Sequence, residues 1–216
     1  MTKVALSEIQ LDALGEVGNI GAGNASTSLA KMVGDVITLD APHTRIMPFD
    51  QLPLATSAEL EEVIISAYVA FTGQASGCLL LLFSHQQAAT LFKLLGLPLE
   101  GNILEASELQ KSAIGEVGNI ITSAYLNALG TLTGLQLLPM PPGVALGMSG
   151  AILETVGAHL GQFAQVGIVI QIDIRSTNID IGLELLMIPE FHSLKTLLTA
   201  LGIDDTFELG TEVAGQ

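Results

Sequence analysis

The hexapeptide Gly15-Glu16-Val17-Gly18-Asn19-Ile20 recurs letter for letter as Gly115-Glu116-Val117-Gly118-Asn119-Ile120, one hundred positions later. Such a repeat asks for the same local structure twice, so the 216-residue chain is expected to fold as two related halves. The match extends outward. Asp12 and Ser112 stand four residues before Glu16 and Glu116, and Pro42 and Pro142 follow Asn19 and Asn119 at one interval. Both halves therefore read [Asp/Ser]-x3-Glu-x2-Asn-x22-Pro. Each copy is preceded by a capping-box sequence, Ser7-Glu8-Ile9-Gln10 and Ser107-Glu108-Leu109-Gln110. There the serine and glutamine side chains satisfy free amides at a helix start.

From Leu6 to about Val33 the apolar spacing is helical. At about 100° per residue, Leu11, Leu14, Gly18, Gly21, Ala25, Leu29 and Met32 gather on one side. Asp12, Glu16, Asn19 and Gly23 gather on the other, in a band of roughly 60°. Glycine costs about 1 kcal/mol in a helix interior, so Gly15, Gly18, Gly21 and Gly23 need a reason. Those on the buried side let the helix sit tightly on its neighbour. Those near the polar stripe let another surface approach the backbone. The second helix, Glu108 to Leu129, buries Ile114, Ile121, Tyr125 and Ala128 and turns Ser112, Glu116, Asn119 and Ser123 outward.

The other elements follow the same order in both halves. Val36 to Met47 reads as a strand bent near Pro42, which suits an edge. Leu52 to Glu62 reads as a connection with a short helical turn. Val63–Phe71 and Ser76–Phe83 read as a hairpin, and Ser84 to Leu95 as an amphipathic helix. Thr133 to Met140 reads as a strand, Ser149 to His159 as a short helix, Gln162–Arg175 and Ile179–Ile188 as a hairpin turning at Ser176-Thr177-Asn178, and Pro189 to Leu201 as the closing helix. No Pro-, Gly- or Ser-rich linker separates the halves. The expectation is one α+β domain over 1–216, a two-layer α/β arrangement of two pseudo-symmetric halves (about 6–99 and 106–203). The halves share a largely antiparallel sheet that carries helices, and an acidic tail follows from 204 to 216.

Composition narrows the function. The net charge of −15 argues against nucleic acid, since phosphate binding needs clustered Lys and Arg, and against an acidic membrane surface. The single cysteine, Cys78, excludes an internal disulfide framework and fits a reducing cytoplasm. The apolar stretch from Val63 to Phe83 is interrupted by Gly73-Gln74-Ala75-Ser76-Gly77, so it is not a membrane span.

The outward stripe is the constellation that occurs twice. Across the two copies Leu14 becomes Ile114 and Ala25 becomes Tyr125 on the buried side, while Glu and Asn persist on the exposed side. Packing alone would preserve the reverse. A Glu and an Asn three residues apart are neighbours on the helix surface. The amide offers an acceptor and two donors but no useful pKa, so it can orient a water and cannot act as a base. The carboxylate can serve as a base, a metal ligand or an ion-pair partner. A water-orienting amide beside an anchoring carboxylate suits hydrolysis of an already reactive bond, such as phosphoryl transfer.

On these residues the chain resembles the CheC/CheX/FliY family of bacterial chemotaxis phosphatases. Two copies of the signature in one short chain are similar to the CheC type, since CheX has one site per chain and FliY carries further flagellar-switch segments. The resemblance implies a phosphatase acting on the aspartyl phosphate of the response regulator CheY. It also implies a second partner, the deamidase CheD. Carried over by position, Asn19 and Asn119 would orient the attacking water, and Glu16 and Glu116 would pair with the partner's phosphate-contacting lysine. Asp12 and Ser112 would support the contact from one turn earlier, and Pro42 and Pro142 would shape the chain after the first strand of each half. The chain would need no cofactor or metal of its own, the Mg²⁺ being held by CheY.

Other readings are weaker. Gly21-Ala22-Gly23-Asn24-Ala25-Ser26 follows no strand, and its second copy has no glycine, which argues against a nucleotide loop. No His or Cys stands at metal-ligand spacing from Glu16 or Glu116. His43, His85, His159 and His192 share no spacing and read as surface or edge residues, and Cys78 as a small core residue. The main rival is a non-catalytic binding module for CheY or CheD, which would capture the regulator on the same helices or hold a second partner on the helix after Pro189.

Overall fold

Two 26-residue helices, α1 (Glu8–Val33) and α3 (Glu108–Thr133), each carry one copy of the hexapeptide about a third of the way along. They belong to a computed structural model that describes residues 8–52, 59–160, 166–176 and 179–202. Both helices end at a glycine with positive φ, Gly34 at 74° and Gly134 at 71°. The Gly34 N–H donates to the Ala30 carbonyl and the Gly134 N–H to that of Gly130, the left-handed termination that glycine adopts without strain. The N-terminus of α3 forms the expected capping box: Gln110 N–H donates to Ser107 Oγ at 3.3 Å, and Ser107 N–H to Gln110 Oε1 at 2.8 Å.

Between and after these helices run β1 (Thr38–Pro48), β2 (Val63–Gly73), β3 (Gly77–Ser84), α2 (His85–Leu94), β4 (Leu137–Pro139), β5 (Gly143–Met148), α4 (Ser149–Leu160), β6 (Val166–Ser176), β7 (Ile179–Pro189) and α5 (Phe191–Ala200). All described pairings are antiparallel, in one seven-stranded sheet ordered β1-β6-β7-β3-β2, with β4 and β5 both on the far side of β2. Counting β4 and β5 as the counterpart of β1, the order reads the same from either edge. The first strand of each half is hydrogen-bonded not to its own half but to the other: β1 to β6, and β4 and β5 to β2.

The expected strand from Thr133 to Met140 is corrected. The helix runs on through Thr133, only Leu137–Pro139 are strand, and a further strand follows at Gly143–Met148. Pro141 and Pro142 offer no backbone donors, so the strand breaks there. It resumes because Gly143–Met148 can ladder along Val63–Tyr68 of β2, a partner that no local pattern discloses. In β1, where a single proline occupies the corresponding place, the strand continues past a register shift between Asp40 and His43. That is the edge-strand irregularity expected near Pro42.

The sheet is apolar on both faces. One face, with Ile65, Ala67, Phe83, Ile170, Leu185 and their neighbours, packs against α1 and α3 in the main core. The other, with Leu80, Leu82, Val169 and Leu186, is covered by Ile152, Leu153 and Val156 of α4. Residues 171–175 alternate as expected, with Ile172 and Ile174 buried and Gln171 and Arg175 exposed. Arg175 there pairs with Asp40 at 2.7 Å and Asp173 at 3.0 Å, bracing β1 on β6. Among the described residues no helix is long and apolar enough to cross a membrane. Ser7 of the first capping box, the segments 53–58 and 162–165, the turn residues 177–178 and the 204–216 tail lie outside the described residues.

Candidate functional site

Helix α1 is held on the edge strand by a relay through one hydroxyl. Ser26 Oγ donates to the Ala22 carbonyl at 2.9 Å and accepts from the Leu39 N–H at 2.7 Å. Gly18 brings the backbones close: a methyl group there would sit 3.1 Å from Ala41 Cβ. The close seating places β1 alongside the polar stripe and creates a groove of about 570 Å³ lined by Asp12, Gly15, Glu16, Asn19, Ala41, His43, Thr44 and Arg45. Asp12, Glu16 and Asn19 are all exposed, one helical turn after another.

The second copy has the same frame with different walls. Ser112 and Glu116 are exposed, and Gly118 is seated so tightly on β2 that a methyl group would overlap Ala67 Cβ. Pro142 and Val144 lean over Gly115, their side chains 4.0 Å and 3.4 Å from where its Cβ would be. Asn119 is half-buried rather than fully exposed as the helical pattern had suggested. One turn on, Ser123 Oγ donates to Asn119 Oδ1 at 3.3 Å, and the side chain adds cover that Gly23 in the first half cannot. With its oxygen engaged, the Asn119 amide keeps its two N–H donors for another group.

Between the two stripes the helices cross. A methyl group at Gly21 would stand 3.1 Å from Tyr125 Cα and 3.0 Å from Cδ2, so the tyrosine fills the space that the missing side chain leaves. Tyr125 is buried, its hydroxyl has no hydrogen-bond partner among the described residues, and burial pushes its phenol above the ordinary range. The Glu/Asn pairs thus point away from a crossing packed with small and large residues in alternation, Gly21 and Ala25 against Ile121 and Tyr125.

The sequence pattern had set His43 aside as an edge residue and passed over Thr44 and Arg45. All three line the first groove. They lie directly after Pro42 in the extended motif, which is the local signal that β1 runs beside the stripe.

With this geometry in place, known proteins supply the decisive comparison. The CheY-P phosphatase CheC of Bacillus subtilis (strain 168) is 31% identical over 201 residues, covering 91% of this chain and 96% of that protein. The chain belongs to the CheC-like family. The family's own model matches it twice, at residues 9–44 and 109–146, each match holding one helix stripe and the strand after it. Among solved structures, Thermotoga maritima FliY superposes with a TM-score of 0.69 at 19% identity, covering 92% of this chain and 98% of that one. FliM in a FliM–SpeE complex from H. pylori superposes at 0.66 with 12% identity, covering 92% and 97%. At those identities the likeness is one of fold. This chain therefore shares its fold with these structures and its family with a relative named as a phosphatase.

Proposed function

We propose that this CheC-like protein hydrolyses the aspartyl phosphate of phosphorylated CheY, through two sites centred on Glu16/Asn19 and Glu116/Asn119. The observation that carries the reading is the doubled carboxylate–carboxamide pair, set at matching places on two helices with both carboxylates open to solvent. The B. subtilis relative named as a CheY-P phosphatase supports the substrate class.

In this reading each asparagine enters the partner's phosphorylated pocket and holds one water in line with the phosphorus. The water oxygen forms the new P–O bond, the bond to the aspartyl oxygen breaks, and the carboxylate leaves. The products are inorganic phosphate and the free aspartate, with the water's proton passing to phosphate or solvent. The partner's Mg²⁺ neutralises the phosphoryl oxygens, so the chain needs no cofactor of its own. Glu16 and Glu116 pair with the partner's lysine and fix the docking register, and Asp12 and Ser112 extend that contact by one turn. Pro42 and Pro142 shape the strand that walls each site. We also read residues of about 6–99 and 106–203 as copies of one unit, in line with the paired family matches and the strand order, and the protein as cytoplasmic.

The test is the decay of phosphorylated CheY with the protein at substoichiometric amounts. Wild type is expected to turn over. The double variant Asn19→Ala, Asn119→Ala is expected to lose about 10²–10³ of that rate, the typical cost of one preorganised polar group, with its thermal transition unchanged. No acceleration by wild type, or protection of the phosphoryl group in a stoichiometric complex, would instead establish a binding module.

A further inference from the structure

Strand β5 holds glycines at 143 and 147 for none of the usual backbone reasons. Neither has the positive φ of Gly73 or Gly134. Residues 143–148 pair with β2 in unbroken register, so there is no bulge. No backbone crowds them. A methyl group at Gly147 would have nothing within 4 Å among the described residues, and one at Gly143 only the Tyr68 carbonyl, at 4.0 Å. Glycine inside a strand weakens it and marks a bulge, a bend, or a place where a backbone or a ligand comes close. With the first three excluded, the ligand remains.

Alternation along β5 gives the open space a direction. Val144 and Leu146 face α3, while Ala145 faces α4. Gly143, Ala145 and Gly147 therefore turn minimal side chains toward α4. Between them and Ala151, Ile152 and Thr155 of that helix lies a cleft of about 500 Å³, floored by Leu80 and Tyr68. It is on the opposite face of the strand from Glu116 and Asn119, so it belongs to neither Glu/Asn site. A hundred residues earlier, Met47 stands in the place of Gly147 and packs on this same face of the sheet.

The lining limits the occupant. In a chain of net charge −15, no Asp, Glu, Lys, Arg or His lines the cleft among the described residues. A charged ligand would lose its hydration there with nothing to pair with. Two hydroxyls supply the polarity. Tyr68 is hydrogen-bonded to the Cys78 thiol. Thr155 Oγ1 donates to the Ala151 carbonyl at 2.8 Å, so it meets a ligand with lone pairs only. The volume falls within the range of about 300–1,000 Å³ usual for small-molecule sites. An α-helix about 10 Å across would use it up in little more than one turn, too little to dock a helical partner.

We propose that the cleft between β5 and α4 binds an uncharged, mainly apolar small molecule, which packs on Gly143, Ala145 and Gly147 and donates a hydrogen bond to Thr155. Such a site is independent of the phosphatase reading and stands or falls on its own test.

The probe is N-phenyl-1-naphthylamine, which is uncharged, carries one N–H donor and brightens in apolar surroundings. Titrated into the 216-residue chain, it is expected to saturate at one molecule per chain. Gly147→Leu puts an isobutyl group into the cleft and should weaken binding about tenfold or more, with the melting curve unchanged or raised. Ala151→Leu narrows the same space from the helix side and gives the reading if Gly147→Leu does not fold. Thr155→Val keeps the shape and should weaken binding about three- to tenfold, one hydrogen bond's worth. Met148→Ser removes an apolar side chain that is 54% exposed and outside the cleft, and should leave the affinity unchanged. No saturable binding by wild type, or equal affinity in wild type and the leucine variants, would overturn the proposal. Loss of affinity in Met148→Ser alone would also overturn it, by placing the probe on the outer surface. Equal affinity in Thr155→Val would overturn the polar contact.

Discussion

Gly118 of α3 lies against Ala67 of β2 with no room for a single added carbon. The contact explains why the second motif glycine stands in the middle of a helix, where alanine would favour the helical state by about 1 kcal/mol. The space lies between a helix and an inner strand, so neither can yield cheaply. Gly118→Ala is expected to destabilise the fold by a net 1–3 kcal/mol, roughly, the usual range for overpacking. In a chain of this size that lowers the melting temperature by about 2–4 °C per kcal/mol. Gly18→Ala, facing Ala41 at 3.1 Å on an edge strand, should remain within about 1 kcal/mol of wild type because the strand can shift. Urea titration of the two variants decides whether close seating on the sheet is the reason for these glycines.

Tyr125 supplies a second stability test. Its hydroxyl is buried without a partner among the described residues, so Tyr125→Phe should leave the fold as stable or more stable, by about 1 kcal/mol. Gly21→Ala pushes a methyl group against the Tyr125 backbone and should cost about 1–3 kcal/mol. If Tyr125→Phe proved strongly destabilising, the hydroxyl would have to have a partner.

Under the proposed function, Ser123 would be a positioning residue for the second site. Removing its hydroxyl frees the Asn119 amide to rotate, so Ser123→Ala in the Asn19→Ala protein should lower kcat by about three- to tenfold, one hydrogen bond's worth, with KM little changed. The reciprocal change is informative. Gly23 is exposed and, among the described residues, nothing lies within 4 Å of where its Cβ would be. Gly23→Ser in the Asn119→Ala protein should therefore raise first-site kcat by supplying the missing donor. A purely structural role for Ser123 would move melting temperature and leave both kcat values alone.

Alkaline stability should fall from about pH 9 upward. Burial in the sheet pushes the Cys78 thiol from its ordinary value of 9.0 up to about 12, only partly opposed by its hydrogen bond with Tyr68. Burial also raises the phenols of Tyr68 and Tyr125. Each group binds its proton more tightly folded than unfolded. Its contribution is therefore complete below the unfolded pKa and is lost as pH rises toward the folded one. For Cys78 alone the loss between pH 9 and pH 10.5 is about 2 kcal/mol. Urea midpoints at the two pH values should differ accordingly, and less so in Cys78→Ala.

The long helices, the hairpins and α4 were legible in sequence because each repeats its apolar residues at the period of its own backbone. Leu14, Gly18, Gly21, Ala25 and Leu29 are buried as that period requires, and Asp12, Glu16, Asn19, Ser112 and Glu116 are exposed. What the pattern could not carry was anything decided by a distant partner. Strand β5 holds two glycines, and its half-exposed residues do not alternate; it is a strand because β2 offers a ladder. His43 and Arg45 belong to the first groove only because β1 turns back along α1. Likewise Asn119 is half-buried and bonded to a serine hydroxyl a turn away, where Asn19 is exposed and has only Gly23, a difference between halves that an identical hexapeptide conceals.

The crosswise pairing of β1 with β6, and of β4 and β5 with β2, means that neither half owns a complete hydrogen-bonded neighbourhood. Severed in the connection between α2 and α3, the chain would yield two fragments, each missing the ladder against which its leading strand is laid. A chain with only one of the two proposed sites is therefore not to be had by truncation. The fragments would have to find each other again to fold, and mixed halves from differently mutated parents offer a direct way to build it.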